Sequence, residues 1–277
     1  MTTIAITGAT GQLGRLAITA LQARGANPIA LARSPEKAAD LAVPTRAFDY
    51  FNADPQALKG VDTLVLISSN DFNDRAGQHK AVIAAAKAAG VGRIVYTSIL
   101  KGPANGMQLA QDHALTEAEL KASGIPFTIL RNGWYTENYT GTLGAAIQHG
   151  AIIGAAREGR VSTAARKDYA EAIAVTALDP AHTGKVYELA GDTSHSGADL
   201  AALVAKASGK PVSYVSMPET DYAQALTGFG LPEALAVALA NSDAYAAKGA
   251  LFDESHTLSR LIGRPTTPWA ETVAAAL

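Results

Sequence analysis

The sequence predicts an α/β protein, a doubly wound parallel sheet followed by a smaller α/β lobe. Three observations carry that expectation. Short apolar runs alternate with helical patterns through the first half of the chain. Three glycines, Gly8, Gly11 and Gly14, punctuate the passage from the first apolar run to the first helical pattern, in ITGATGQLG. Beyond Trp134 the alternation loosens, and no repeat or low-complexity linker intervenes. Strands that alternate with helices form parallel sheets covered on both faces.

Ile4–Thr7 reads as a buried strand, and Gln12–Arg24 as a helix with Leu13, Leu16, Ala17, Ala20 and Leu21 on one face. Gly25 ends that helix. Pro28–Ala32 is the second strand, and Ser34-Pro35 opens a helix as cap and first turn. Arg46–Phe48 and Asp62–Ile67 are the third and fourth strands. Gln78–Ala89 is a helix closed by Gly90, Arg93–Thr97 a fifth strand, Leu109–Ala122 a helix closed by Gly124, and Phe127–Leu130 a sixth strand. In the remainder, strands are expected at Lys185–Leu189 and Val212–Ser216. Helices are expected near Asp168–Leu178, Gly197–Ser208 and Pro232–Lys248.

Composition narrows the function. Hydrophobic residues make up 48% of the 277 and charged residues 17%, which implies a packed core rather than disorder. The formal net charge is −2 with no Lys/Arg run, which argues against nucleic-acid binding. There is no cysteine, so disulfides, thiol catalysis and Cys-based metal sites are excluded, and no metal is expected. No apolar stretch reaches membrane-span length, and the N-terminus lacks a signal-peptide pattern. A cytoplasmic protein without a membrane partner is the expectation, and a homodimer is left open.

A strand, Gly-x-x-Gly-x-x-Gly and a helix form a phosphate-cradling turn. Gly8 allows the tight exit from the strand, Gly11 lets the backbone approach a pyrophosphate, and Gly14 permits close helix–strand contact. Thr10, Gln12 and Leu13 complete the loop, whose free N–H groups and helix dipole favour an anion. The bland alternative is a turn that needs glycine only for its geometry. The domain reading that follows is a dinucleotide-binding domain over 1–133 and a smaller lobe over 134–277, with the sheet partly shared.

An NAD site carries an acid at the end of the second strand. Here that strand ends in Ala32-Arg33, Lys37 follows, and no acid occurs before Glu36. A guanidinium binds a 2′-phosphate where a carboxylate repels it, so NADPH is the expected cofactor. Asp49 and Tyr50 follow the third strand, and Ser68 and Ser69 the fourth. Both pairs lie at carboxyl ends of strands, on the cofactor side, or serve only as polar turns.

Many short-chain reductases protonate the nascent alkoxide with a Tyr aided by a Lys four residues on. None of the tyrosines here has Lys at that spacing. The corresponding helix, LAQDHALTEAELKASG, offers His113 and Glu117 at i and i+4. The pair reads either as an acid–base couple or as a helix-stiffening contact. Quinone reduction forms a delocalised, weakly basic anion that water can protonate. A site without Tyr and Lys suits such an acceptor, with catalysis mostly by orientation.

The stretches ITGATGQLG, AAKAAGVGRIVYTS, HALTE, TILRNGWYTENY, KVYELAG and LSRLIGRPTT together resemble the NmrA-like atypical short-chain dehydrogenases over nearly the whole chain. RNGWYTENY and His-x-x-x-Glu are the more specific of these. The resemblance implies a Rossmann domain with a small C-terminal lobe, NADPH as donor and quinones as acceptors. It implies that the loop from Trp134 to Tyr139, with Trp134, Tyr135 and Asn138, lines the nicotinamide half. It also implies that Arg166 reaches in from the second lobe. Read bottom-up, the aromatics are equally a core cluster, whereas Asn132 and Asn138 carry amides able to bond a carboxamide or an acceptor oxygen. Triphenylmethane dye reductases look similar over the same range. Reduction of another conjugated acceptor (a dye, nitroarene or imine) and non-catalytic NADP(H) sensing therefore stand beside the quinone reading.

Overall fold

The computed structural model describes residues 2–277. In chain order the regular elements are β1 (Ile4–Ile6), α1 (Gln12–Gln22), β2 (Ile29–Ala32), β3 (Thr45–Ala47), β4 (Thr63–Leu66), α2 (Arg75–Ala88), β5 (Arg93–Ile99), α3 (Gln108–Ser123) and β6 (Phe127–Asn132). There follow α4 (Glu137–Thr140), α5 (Leu143–His149), β7 (Ala151–Gly154), α6 (Arg166–Leu178), β8 (Val186–Leu189), α7 (Gly197–Ser208) and β9 (Ser213–Ser216). The chain closes with α8 (Glu219–Gly228), α9 (Glu233–Ala246), α10 (Thr257–Ile262) and α11 (Trp269–Ala274). The doubly wound sheet expected from the alternation is present. Seven strands run in the order β3-β2-β1-β4-β5-β6-β8, and every pairing from β3 to β6 is parallel.

The chain divides into two compact units. The first comprises the chain through Gly102, Asp112–Asn132 and Arg166–Tyr187; the second comprises Pro103–Gln111, Gly133–Ala165 and Glu188–Leu277. Gly133 opens one stretch of the second unit. Arg166, expected to reach in from the second lobe, instead opens a helix that belongs to the first unit.

In the first unit the central strands are apolar on both faces, as a parallel sheet between helix layers requires. All four residues of β4 and all seven of β5 are buried. Leu64, Leu66, Ile94, Tyr96, Val82, Ile83 and Leu120 form one continuous cluster on the side of α2 and α3. On the other side α6 packs against α1 and crosses β4, β5 and β6. The segment after Ser34-Pro35 is a 3-10 turn over Pro35–Leu41 rather than an α-helix. Only Ala38 of that segment is buried, so no apolar stripe rewards a longer helix. Helix α2 begins three residues earlier than the apolar pattern suggests, because the Asp74 side chain accepts from the Gly77 N–H and caps it.

In the second unit β7 and β9 pair in parallel. Ser196 and Asp199 form a reciprocal cap that starts α7. Leu143, Leu200, Val204 and Val273 form a small core. Among the described residues no helix is long and apolar enough to cross a membrane.

Leu64 has no exposed surface and lies in β4 between β1 and β5. Leu64→Ala is expected to cost about 3 kcal/mol through lost burial and a residual cavity. The measurement is urea unfolding, with a lower midpoint at unchanged slope; an unshifted midpoint contradicts this packing.

Candidate active site

The site begins where β1 ends. The Thr7 N–H donates to the Val65 carbonyl at 3.0 Å, and the Thr7 hydroxyl oxygen accepts from the Ile67 N–H at 3.0 Å, so β1 is tied to β4 just below the loop. Tyr50 Oη lies 2.7 Å from both Thr7 Oγ1 and the Ile67 carbonyl. Gly8 adopts φ +61, and a Cβ there would stand 3.3 Å from Tyr50 Oη. The Gly11 N–H closes the turn on the Gly8 carbonyl at 2.9 Å. A Cβ on Gly14 would run into that same carbonyl and meet Ala9 Cα at 2.9 Å. The first and third glycines are therefore required by conformation and by close approach respectively.

Helix α1 then starts with Gly11 as its cap, without a side-chain hydrogen bond and without an acid in the first turn. Its leading N–H groups are left for an anion. Gln12 is exposed, Thr10 half-buried and Leu13 buried, so Leu13 anchors the helix in the core and offers the loop only its backbone.

Arg33 follows the last residue of β2, is exposed, and makes no hydrogen bond or ion pair among the described residues. Lys37 is exposed on the turn that follows. Arg15 was not singled out from the sequence. Its guanidinium donates to Asp40 and to the Lys37 carbonyl at 2.6 Å each, and to the Thr10 carbonyl at 3.2 Å. It buckles the glycine loop to the turn behind Arg33, and its hydrogen bond holds the Asp40 carboxyl below the usual range. A basic residue one position past the last loop glycine is the only sequence signal for it.

The acids and hydroxyls after β3 and β4 are engaged in the protein itself. Asp49 accepts from the Phe51 N–H at 3.1 Å. The Ser68 N–H donates to Thr97 Oγ1 at 2.9 Å. Ser69 donates its hydroxyl to Gln78 at 2.5 Å, its N–H to His79 Nε2 at 2.9 Å, and accepts from Arg75 Nε through its carbonyl at 2.7 Å. His79 Nε2 is thus an acceptor, so its Nδ1–H faces Thr116 Oγ1 at 2.9 Å, which in turn donates to the Asp112 carbonyl at 2.8 Å. Burial and the nearby Arg75 charge push His79 down to about 3, and the ring is neutral.

His113 and Glu117 do not form the couple their spacing suggests. Alternate residues of β5 face α3, and each takes one of the two. Tyr96 Oη lies 2.8 Å from His113 Nδ1, and Ser98 donates to Glu117 at 2.7 Å. Arg131 adds two bonds to the Glu117 carboxylate, at 2.9 and 2.7 Å. Burial raises the Glu117 carboxyl, but the bonds from Arg131 and Ser98 outweigh it, and the net shift is downward. Burial, then the charge of Arg75, pushes His113 well below the ordinary imidazole range. The signal sequence reasoning missed was on the other element: Tyr96, Ser98 and Arg131 point at α3 by strand parity.

Asn132 closes β6. It is buried, yet neither its amide nitrogen nor its amide oxygen has a hydrogen-bond partner among the described residues. An unsatisfied buried amide is costly and leaves both a donor and an acceptor to be met. In the second unit, Tyr135 bridges to Ala164, the Trp134 carbonyl accepts from the Ala164 N–H at 3.2 Å, and Trp134 and Tyr135 are half-buried. Asn138 is exposed, and its N–H donates to the Tyr135 carbonyl. Tyr139 packs edge-on against His195, which stacks on Trp269 at 4.3 Å.

Glu117→Gln is expected to cost about 2–3 kcal/mol at neutral pH, because it strips the charge from a buried pair and weakens the hold on Arg131. A carboxyl held low when folded stabilises fully above its unfolded value, about 4.5, and loses that contribution as pH falls through the folded value. The gap between wild type and variant, followed by denaturant unfolding across pH 7 to 3, is therefore expected to shrink on the acid side. A gap that widens there contradicts the assignment.

Similarity to known proteins runs along the whole chain. The chain is 50% identical to quinone oxidoreductase 2 of Escherichia coli over 98% of its own length and 97% of the relative's. Its fold superposes on the E. coli NADPH-dependent quinone oxidoreductase solved with NADPH at TM-score 0.96, 49% identity and 99% of each chain. It superposes on the Citrobacter triphenylmethane reductase solved with NADP(H) at TM-score 0.92 and 34% identity, covering 99% of this chain and 100% of that one. The model of the NAD(P)H-binding family matches residues 8–180, and the chain belongs to that family.

Proposed function

We propose that this chain is an NADPH-dependent reductase that passes hydride to quinones. The observation that carries the reading is the commitment of both acid–base candidates on α3. His113 is bonded through Nδ1 to Tyr96 and held neutral, and Glu117 is bonded by Ser98 and Arg131 and held ionised, so neither is a ready acid for an alkoxide. An acceptor whose reduced form is a weakly basic, delocalised anion needs none. The 50% identity to the E. coli quinone oxidoreductase along nearly the full chain supports the same acceptor class.

The residues fit the cofactor. The uncapped start of α1 and the Gly8–Gly14 turn suit a pyrophosphate. Arg33, without a competing partner, suits the 2′-phosphate, with Lys37 beside it. Bound NADPH supplies the hydride from its nicotinamide ring. Asn132 has both a donor and an acceptor to offer, the pair a carboxamide calls for, and it orients by those two bonds. Thr7, Tyr50 and Arg15 hold the loop still; Ser68, Ser69 and His79 fix the loop after β4. Trp134, Tyr135, Asn138 and Arg166 keep, within this proposal, the cofactor contacts that the family resemblance gives them. Orientation then supplies most of the rate.

The test is loss of NADPH absorbance on addition of duroquinone (tetramethyl-1,4-benzoquinone). Quinone-dependent loss is expected, with NADH a poorer donor. Arg33→Asp is expected to raise the KM for NADPH about 10- to 100-fold, the weight of a charge-assisted pair of bonds. Equal rates with NADH, or an unchanged KM in the variant, would remove Arg33 from the phosphate. Binding of NADPH without turnover of any conjugated acceptor would turn the reading to a redox sensor.

A further inference from the structure

The second unit contains a group of polar side chains that the cofactor chemistry does not use. Asp243 of α9 lies beside Tyr214 of β9, and its charge also acts on two phenols of other elements, Tyr139 of α4 and Tyr222 of α8. No lysine or arginine is among the groups that act on it. The convergence is built into the backbone. A Cβ on Gly154 would stand 2.7 Å from the Asp243 carboxyl oxygen and 2.8 Å from Tyr214 Oη, so glycine there lets both oxygens close over the end of β7. Asp243 Oδ2 accepts from the Ala155 N–H at 2.9 Å, and Tyr214 Oη accepts from the Ala156 N–H at 3.2 Å. Gly197 does the same for the Tyr214 ring, against which any side chain at that position would collide. The second carboxyl oxygen of Asp243 and the hydroxyls of Tyr139 and Tyr222 make no hydrogen bond among the described residues.

We propose that Asp243, with Tyr139, Tyr214 and Tyr222, is the subsite that holds the carbonyl oxygen of a neutral, quinone-type acceptor. This rests on the quinone reading above and names residues it leaves unassigned. The chemistry of the cluster selects the ligand. Phenols and a protonated carboxyl are hydrogen-bond donors, and the aromatic rings favour a flat partner. An anionic ligand would face a carboxyl with no cation to balance it.

Burial raises the Asp243 carboxyl to about 6, against the opposing pull of the Ala155 N–H. The phenols and the imidazole facing it do not change charge in the same range. Burial raises all three phenols above their ordinary value, Glu158 reaches the cluster through Tyr214, and His195 beside Tyr139 is pushed down to about 4. Of the carboxyl, the phenols and the imidazole, Asp243 is thus the group that titrates between pH 5 and 7.5. Its protonated form donates to a carbonyl and its ionised form cannot, so a neutral quinone binds more weakly as pH rises, whereas a cationic ligand binds more tightly.

The experiment is duroquinone binding, followed by quenching of the protein's aromatic fluorescence from pH 5 to 7.5, together with the quinone KM. Wild type is expected to weaken about tenfold across the range, the worth of one lost hydrogen bond. Asp243→Asn, which keeps the shape and removes the titration, is expected to flatten that profile, and Tyr222→Phe to weaken binding at every pH. NADPH affinity, measured in parallel, is expected to stay unchanged and shows that each variant is folded. Unaltered quinone binding and pH profile in both variants would overturn the proposal, as would tighter binding with rising pH. Wild type that binds duroquinone with this profile yet never oxidises NADPH would support the subsite and refute the reductase reading.

Discussion

The contact between the Gly8 carbonyl and the bare Cα of Gly14 is the constraint on which the rest of the site depends. It sets the angle at which α1 leaves β1, and so aims the uncapped first turn of that helix at the space beyond the strand ends. Thr7 and Tyr50 fix the same turn from below by joining β1, β4 and the segment after β3. An anion-binding helix start works only if its N–H groups are both unsatisfied and immobile. The sequence supplies the first through the absence of a capping side chain and the second through this web of short bonds.

The same economy governs α3 and β5. Tyr96, Ser98, His113, Glu117 and Arg131 are polar groups deep in the first unit, and each finds its partner within it. Such a network is tolerated only when satisfied. It then gives rigidity to the strand ends. Asn132 is the exception by contrast, a buried amide at the same end of the sheet with nothing to bond.

Much of this was legible in the sequence. The strands and helices of the first unit are short apolar runs and amphipathic stretches punctuated by Gly25, Gly90 and Gly124, and the pattern follows directly from burial on both faces of a parallel sheet. The glycine turn and Arg33 were readable because backbone clearance and charge are local properties. The second unit was harder. Strand β7 and helices α4, α5, α8, α10 and α11 are short and weakly patterned, and they are held by contacts the local sequence does not encode. The partners of His113 and Glu117 were hidden for a related reason: helix spacing reveals which residues share a face, not which strand residues meet that face. Arg15 and Asp243 carried no motif at all. One acts through main-chain carbonyls and the Asp40 carboxylate, the other is an acid near the end of an alanine-rich helix, and only the fold assembles their neighbours.

The account's central claim is that the end of β2 presents a positive charge to the adenosine phosphate while the start of α1 receives the pyrophosphate. Calorimetric titration of the wild-type chain with 2′-phospho-ADP-ribose, and separately with ADP-ribose, tests it without any turnover. The account predicts a single site for both, with the 2′-phosphorylated compound bound at least about tenfold more tightly and its advantage reduced by added salt. Equal affinities, or no heat with either compound, would contradict it.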